Sequence, residues 1–139
     1  MKMTATYIKL QDAYASEANK VGSWLLIGYI APGSNSASQT GESTSFSYAP
    51  ATLNIDATEG SAIDGFTTAK LVWGARNNTP LNDCGDQDKA ATASDEDHWQ
   101  LEIEDSGNGN SLVYIAKVDD ANCKQVTPTF TNITTKKTN

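Results

Sequence analysis

The sequence predicts an α+β fold: an N-terminal amphipathic helix packed on an antiparallel β-sheet, with a C-terminal loop bounded by two cysteines. Three observations predict it. Apolar residues recur at spacings of three and four only near the start of the chain. From residue 51 onward they alternate with period two instead. The linker DSGNGN at 105–110 then joins the two clearest strands as a hairpin. A sheet that is apolar on one face needs a cover, and the N-terminal stripe is the only candidate.

The helix is expected over residues 4–21, within a segment 1–22. Tyr7, Leu10, Tyr14, Ala18 and Val21 form its stripe, and Gln11, Asp12, Ser16, Glu17 and Lys20 lie largely off it. Gly22 follows as a C-terminal stop. Residues 23–50 read as a helix-to-sheet loop. It opens with the compact apolar stretch SWLLIGYIAPG, turns at Pro32-Gly33, and continues through the polar run SNSASQTGEST. Phe46, Tyr48 and Pro50 alternate with small residues and open a first strand.

Residues 51–133 read as the sheet and the cysteine-bounded region. TLNIDA alternates at Leu53, Ile55 and Ala57. AKLVWGA places Leu71 and Trp73 on one face and Val72 on the other. HWQLEIE, residues 98–104, is the cleanest strand: Trp99, Leu101 and Ile103 face in, while His98, Gln100, Glu102 and Glu104 face out. SLVYIAKV, residues 111–118, is apolar on both faces and so reads as central. QVTPTFTNI reads as a final edge strand, because Pro128 cannot donate to a ladder. Residues 134–139 read as a frayed tail.

A length of 139 residues favours a single domain, and three Trp, five Tyr and three Phe supply its core. The net charge of −7 and pI of about 4.5 disfavour a nucleic-acid partner or an anionic membrane surface. The longest apolar run, SWLLIGYI, is too short to span a bilayer. The first residues lack an apolar signal region. Either the protein is cytosolic, or its targeting segment has been removed.

Cys84 and Cys123 are the only cysteines. A single histidine cannot complete a familiar zinc site with two distant thiols. One structural disulfide in an oxidising compartment is the favoured reading, and two buried free thiols in a cytosolic protein are the alternative. Closing a loop of about 40 residues stabilises by ~4 kcal/mol in the chain-entropy model.

The stretch YIKLQDAYASEANKVGSWLLIGYIAPG, from Tyr7 to Gly33, resembles bacterial type IV pilins and type II secretion pseudopilins just past their transmembrane part. There an amphipathic helix ends at a glycine and an aromatic-rich loop follows. The cysteine pair resembles the disulfide-bounded segment of type IV pilins. Beyond Gly33 the likeness rests on architecture and cysteine placement. The apolar first half of the pilin helix, its leader and its glutamate are not in this chain. The resemblance implies a pilin-like roll, a homo-oligomeric filament with other pilin subunits, and an inner-membrane anchor through the missing helix. It also implies an extracellular or periplasmic location, with Tyr7, Leu10 and Tyr14 at the assembly interface. Asp83, Asp86, Asp88 and Asp95 read first as a solvated acidic loop. The alternative is a calcium site with these as its ligands, which the calcium site of major pseudopilins supports by resemblance without a residue-by-residue match, and no EF-hand pattern is present.

Other chemistry is sparse. His98 adjoins Asp95-Glu96-Asp97 but reads as a solvated edge histidine without a nucleophile. Glu102 and Glu104, about 7 Å apart on one strand face, read as ordinary outward residues. Asn77-Asn78-Thr79 and Asn132-Ile133-Thr134 fit the glycosylation pattern, at the level chance provides. Trp24, Trp73 and Trp99 each sit in an apolar stretch and read as core. The expectation is a non-enzymatic subunit of a pilus or pseudopilus. The alternative is a secreted β-rich module that binds calcium or carbohydrate.

Overall fold

The structure is a computed structural model. It describes residues 2–34, 41–42, 45–50, 55–56, 58–85, 97–107, 111–128 and 130–134. The fold is α+β. Helix α1 (Lys2–Ala18) leads into β1 (Lys20–Val21) and the short α2 (Trp24–Ile27). Strands β2 (Gly41–Glu42), β3 (Phe46–Pro50), β4 (Ser61–Ala62), β5 (Lys70–Asn77), β6 (Trp99–Asp105) and β7 (Leu112–Val118) follow, then α3 (Ala121–Lys124). Among the described residues the main sheet is antiparallel with order β2-β3-β5-β6-β7, and β1 pairs separately with β4.

Helix α1 ends earlier than its periodicity suggests. Asn19 takes the left-handed conformation, at φ 58°, and its N–H still reaches the Ala15 carbonyl. Val21 is therefore buried as a strand residue, paired with Ser61. Gly22 is needed for space rather than for stopping the helix. A Cβ there would lie 2.7 Å from the Tyr14 ring and 2.8 Å from Ile27 Cγ2.

The buried face of α1 is Thr4, Tyr7, Gln11 and Ala15, an i, i+3, i+4 row displaced from the apolar stripe. Gln11, expected off the stripe, is fully buried. Its amide nitrogen donates to the Tyr7 hydroxyl and to the Gly22 carbonyl, both at 2.9 Å, and its oxygen accepts from the Gly22 N–H at 2.8 Å. A buried amide is tolerated when each end is satisfied. Here the reward is a fixed reversal of the chain after α1.

That reversal delivers the aromatic loop to the sheet. Residues 23–50 are not one long loop. Ser23 caps α2 by accepting from the Leu26 N–H, and Gly28 closes it at φ 75°. The Pro32-Gly33 turn is present, with Ser34 N–H on the Ala31 carbonyl. Residues 35–40 lie outside the described residues. Tyr29 meets Tyr7 and Trp24 edge-on, at 5.4 and 4.7 Å between ring centroids. Its hydroxyl accepts from Trp73 Nε1, while Trp24 Nε1 donates to the Val72 carbonyl. The helix thus lies on the sheet through a layer of rings. Its second tie is direct: the Tyr114 hydroxyl donates to Asp12 Oδ1 at 2.7 Å across 102 positions.

Trp99, Leu101 and Ile103 face the core as expected, and Trp24 and Trp73 are core too. The hairpin pairs Trp99 with Val118 through to Asp105 with Leu112. Four expectations need correction. Gln100 is buried, and its amide donates to the Asp97 carbonyl. A bulge between Leu71 and Trp73 pairs them with Glu102 and Leu101, neighbours on opposite faces of β6, so Leu71 and Trp73 do not share a face. Strand β7 is the edge of the sheet rather than its centre. The segment after it is not a strand. Pro128 occupies the second position of a turn in which Phe130 N–H meets the Thr127 carbonyl, and a 3-10 helix Phe130–Ile133 follows. That helix covers the β7 edge: Phe130 is buried, and Thr134 Oγ1 accepts from the Ala116 N–H. Of the TLNIDA strand only Ile55 and Asp56 are described, and neither is in a strand. Asp56 starts a turn in which its carboxylate accepts from the Thr58 and Glu59 N–H groups. Those bonds hold the Asp56 carboxyl below the usual range. The tail beyond Thr134 lies outside the described residues.

Two outcomes follow from this core. Gln11→Ala leaves both polar groups of Gly22 without their partners in a dry site. It is expected to lower stability by about 2–4 kcal/mol, read from the urea midpoint at unchanged slope. Burial raises the Tyr7, Tyr29 and Tyr114 hydroxyls, Tyr29 to about 12. Unfolded tyrosines ionise near about 10, so the unfolded state sheds protons first. The stability these hydroxyls lend is complete below about pH 10 and falls as pH rises from there through about 12. The share of tyrosinate absorbance that belongs to these three rings should therefore rise together with loss of the folded circular-dichroism signal.

Candidate functional site

The two cysteines form a disulfide, 39 positions apart in sequence, with Cα atoms 4.6 Å apart. Local geometry places each one. Cys84 closes a tight turn in which Leu81 and Cys84 exchange backbone hydrogen bonds, with Asn82 at φ 55°. Cys123 sits on α3, capped by Asp120, whose carboxylate accepts from the Asn122 N–H. The bond fastens the turn after β5 to the helix after β7. Both cysteines are fully buried.

Between those two attachments runs the approach to β6. The backbone ladder of β5 and β6 stops at Ala75 and Trp99, and side chains continue it. Arg76 Nε donates to Asp97 Oδ1 at 2.6 Å, with both residues buried. One step along each strand, His98 Nδ1 lies 2.8 Å from Asn77 Oδ1.

Asn77 fixes the chemistry of that histidine. Its amide nitrogen lies 3.1, 3.3 and 2.9 Å from the carbonyls of Thr79, Cys84 and Gly85. All three are acceptors, so the amide cannot be turned round. Asn77 Oδ1 therefore faces His98, and His98 Nδ1 must carry the hydrogen. The same nitrogen lies 3.2 Å from Cys123 Sγ and 3.9 Å from Cys84 Sγ. The imidazole is an N–H donor set against a disulfide, and its ring meets Trp99 edge-on.

The ligand atoms of Cys84, His98 and Cys123 lie within 4.8 Å of one another, as close as in a site for a thiophilic metal. The sulfurs, however, are bonded to each other, and Nδ1 holds its proton for Asn77. A metal-binding imidazole usually offers one nitrogen to the metal and gives the other N–H to a supporting acceptor. Here a single nitrogen faces both the sulfurs and the acceptor. The one Nδ1 hydrogen is shared, with Asn77 Oδ1 at 2.8 Å as its nearer acceptor and Cys123 Sγ at 3.2 Å as the farther one.

The predicted site residues fare differently. Cys84 and Cys123 pair as read. His98 is half-buried and engaged, not a solvated edge residue. Asp83 is exposed on the turn before Cys84, while Asp86, Asp88 and Asp95 lie outside the described residues. Tyr7 is 0% exposed and spends its surface inside the domain; Leu10 and Tyr14 are half-buried against the core. Trp24, Trp73 and Trp99 are 2%, 0% and 0% exposed, so none offers a ring for stacking on a sugar. Asn77, first residue of one glycosylation match, is buried with both ends of its amide engaged. Asn77 was not singled out for this role from the sequence. Only the register of β5 against β6 brings it to His98, and the bulge shifts that register.

Comparison with protein-family models, with characterised proteins and with solved structures finds no match for the chain.

The buried ion pair gives a direct test of how the cysteine-bounded region is held. Arg76→Ala leaves the Asp97 carboxylate buried without its cation, at an expected cost of about 3–5 kcal/mol. Replacing both residues by Met and Leu is expected to recover most of that loss in urea denaturation.

Proposed function

We propose that this chain is the head domain of a filament subunit of the type IV pilin or pseudopilin kind. The observation that carries the reading is the placement of α1. One face of the helix is sunk into the aromatic layer over an antiparallel sheet. The opposite side, with Lys9, Ala13, Ser16 and Glu17, is exposed. A helix that both belongs to a head domain and keeps a polar face outward suits a subunit whose helices pack along a fibre axis. The disulfide supports the same reading, since it suits an oxidising compartment outside the cytoplasm. It also pins the C-terminal segment against shear.

Among the described residues no helix is long and apolar enough to cross a membrane. In this reading the membrane anchor is an apolar helix running into α1 in the native polypeptide. The head then faces the periplasm before assembly and the fibre surface afterwards.

Immunogold labelling of cells producing the protein tests the proposal, together with fractionation of sheared surface material. The expected result is label spaced along filaments and the protein enriched in the sheared fraction. Label on soluble secreted material alone, with no in-frame apolar segment upstream in the gene, would overturn it.

A further inference from the structure

The disulfide sits in an asymmetric environment. His98 Nδ1–H is 3.2 Å from Cys123 Sγ and 3.9 Å from Cys84 Sγ. The proton is on that nitrogen because Asn77, locked by three carbonyls, presents only its oxygen there. A hydrogen-bond donor beside one sulfur of a disulfide does little while the bond is intact. It matters once that sulfur becomes an anion, because N–H···S⁻ is a charge-assisted bond.

We propose that Cys84 is a thiol-exchange site, at which an incoming thiolate forms a mixed disulfide while Cys123 departs as a thiolate stabilised by His98. The step balances without an external oxidant. The incoming thiolate donates an electron pair to Cys84 Sγ, and the S–S bonding pair leaves on Cys123 Sγ. A second thiol can then release Cys84 as a free thiol, carrying the first away as its own disulfide. The co-reactant is a small thiol or an exposed protein dithiol.

Direction follows from the leaving group, since the better-stabilised thiolate leaves faster. Cys123 has the imidazole nitrogen at 3.2 Å, whereas Cys84 has it at 3.9 Å, the long limit for a bond to sulfur. Both sulfurs are buried, so attack waits on a local opening. Exposed Asn82, Asp83 and Gly85 flank Cys84 and form the segment that has to move. The consequence is regulatory. Opening this bond frees the turn after β5 from α3, while the Arg76–Asp97 pair still holds the entry to β6. Reduction loosens the C-terminal segment without dissolving the sheet. This inference is independent of the filament reading.

The test treats the native protein with glutathione, quenches with an alkylating agent, and maps the adducts by peptide mass. The expected result is glutathione on Cys84 and the alkyl group on Cys123. The reverse pattern, an even mixture, or no reaction under native conditions would each overturn the proposal. A second measurement follows the equilibrium of the couple against dithiothreitol in wild type and His98→Phe. Loss of the donor should make the disulfide about tenfold harder to reduce, the size of one charge-assisted hydrogen bond. An unchanged equilibrium in a folded variant would overturn the role of His98. Adduct mapping on the wild type decides the question if the variant does not fold.

Discussion

Both main-chain polar groups of Gly22, its N–H and its carbonyl, are held by the side-chain amide of Gln11, and the rest of the core is arranged around that grip. A helix that ends in an antiparallel domain has to hand its chain to the next layer. The carbonyl and N–H at the bend then need partners that no regular structure supplies. Gln11 supplies both, and it also donates to the Tyr7 hydroxyl. With the bend fixed, α2 begins at Trp24, and the rings of Trp24 and Tyr29 fall between α1 and β5. Trp73 then donates to the Tyr29 hydroxyl. The chain of contacts runs from helix to sheet with a single amide at its head.

The outline of the fold is therefore legible in the sequence, while much of its detail is not. The α+β class, the hairpin at 105–110, the inward faces of Trp99, Leu101 and Ile103, and the cysteine pairing rest on period, turn chemistry and count. These are local or nearly local signals. Gln11 was placed off the buried stripe because a lone glutamine carries no apolar signal. Its burial is decided by Gly22, eleven positions on. Strand β7 looked central because Val113 and Ile115 are apolar on the face away from the core. Its neighbour on the open side is a 3-10 helix, whose cover no period reveals. The same holds for Asn77 and His98, ordinary polar residues until the register sets them side by side.

A second grip of the same kind sits beside the disulfide. Asn77 offers its nitrogen to three carbonyls around Cys84 and its oxygen to His98, just as Gln11 offers both ends of its amide to the N–H and carbonyl of Gly22. Two buried amides thus stand where the backbone leaves regular pairing and still runs through the interior. Each satisfies several main-chain groups at once, which a hydroxyl cannot do in so fixed a geometry. The Arg76–Asp97 pair adds an ionic rung beside the second grip, where the β5–β6 ladder has ended.

Composition gives the reason for this arrangement. Hydrophobic residues are 38% of the chain, with a mean hydropathy of −0.46, so apolar burial has less to contribute than in an average domain. The aromatic rings supply bulk, but they are large, and their layer leaves bends and strand ends inside the protein boundary. A buried polar backbone group there costs about as much as a lost hydrogen bond unless it is paired. The buried Gln, Asn, Arg and Asp side chains meet that need, and among the described residues no buried side-chain polar atom lacks a partner. The disulfide belongs to the same economy of contacts. It closes a segment of 39 positions whose ends are otherwise held by polar side chains, and it brings the one histidine of the chain against sulfur. In that setting the imidazole is first a structural donor, required by the geometry of Asn77. Its position beside Cys123 is what gives the structural bond an uneven chemistry.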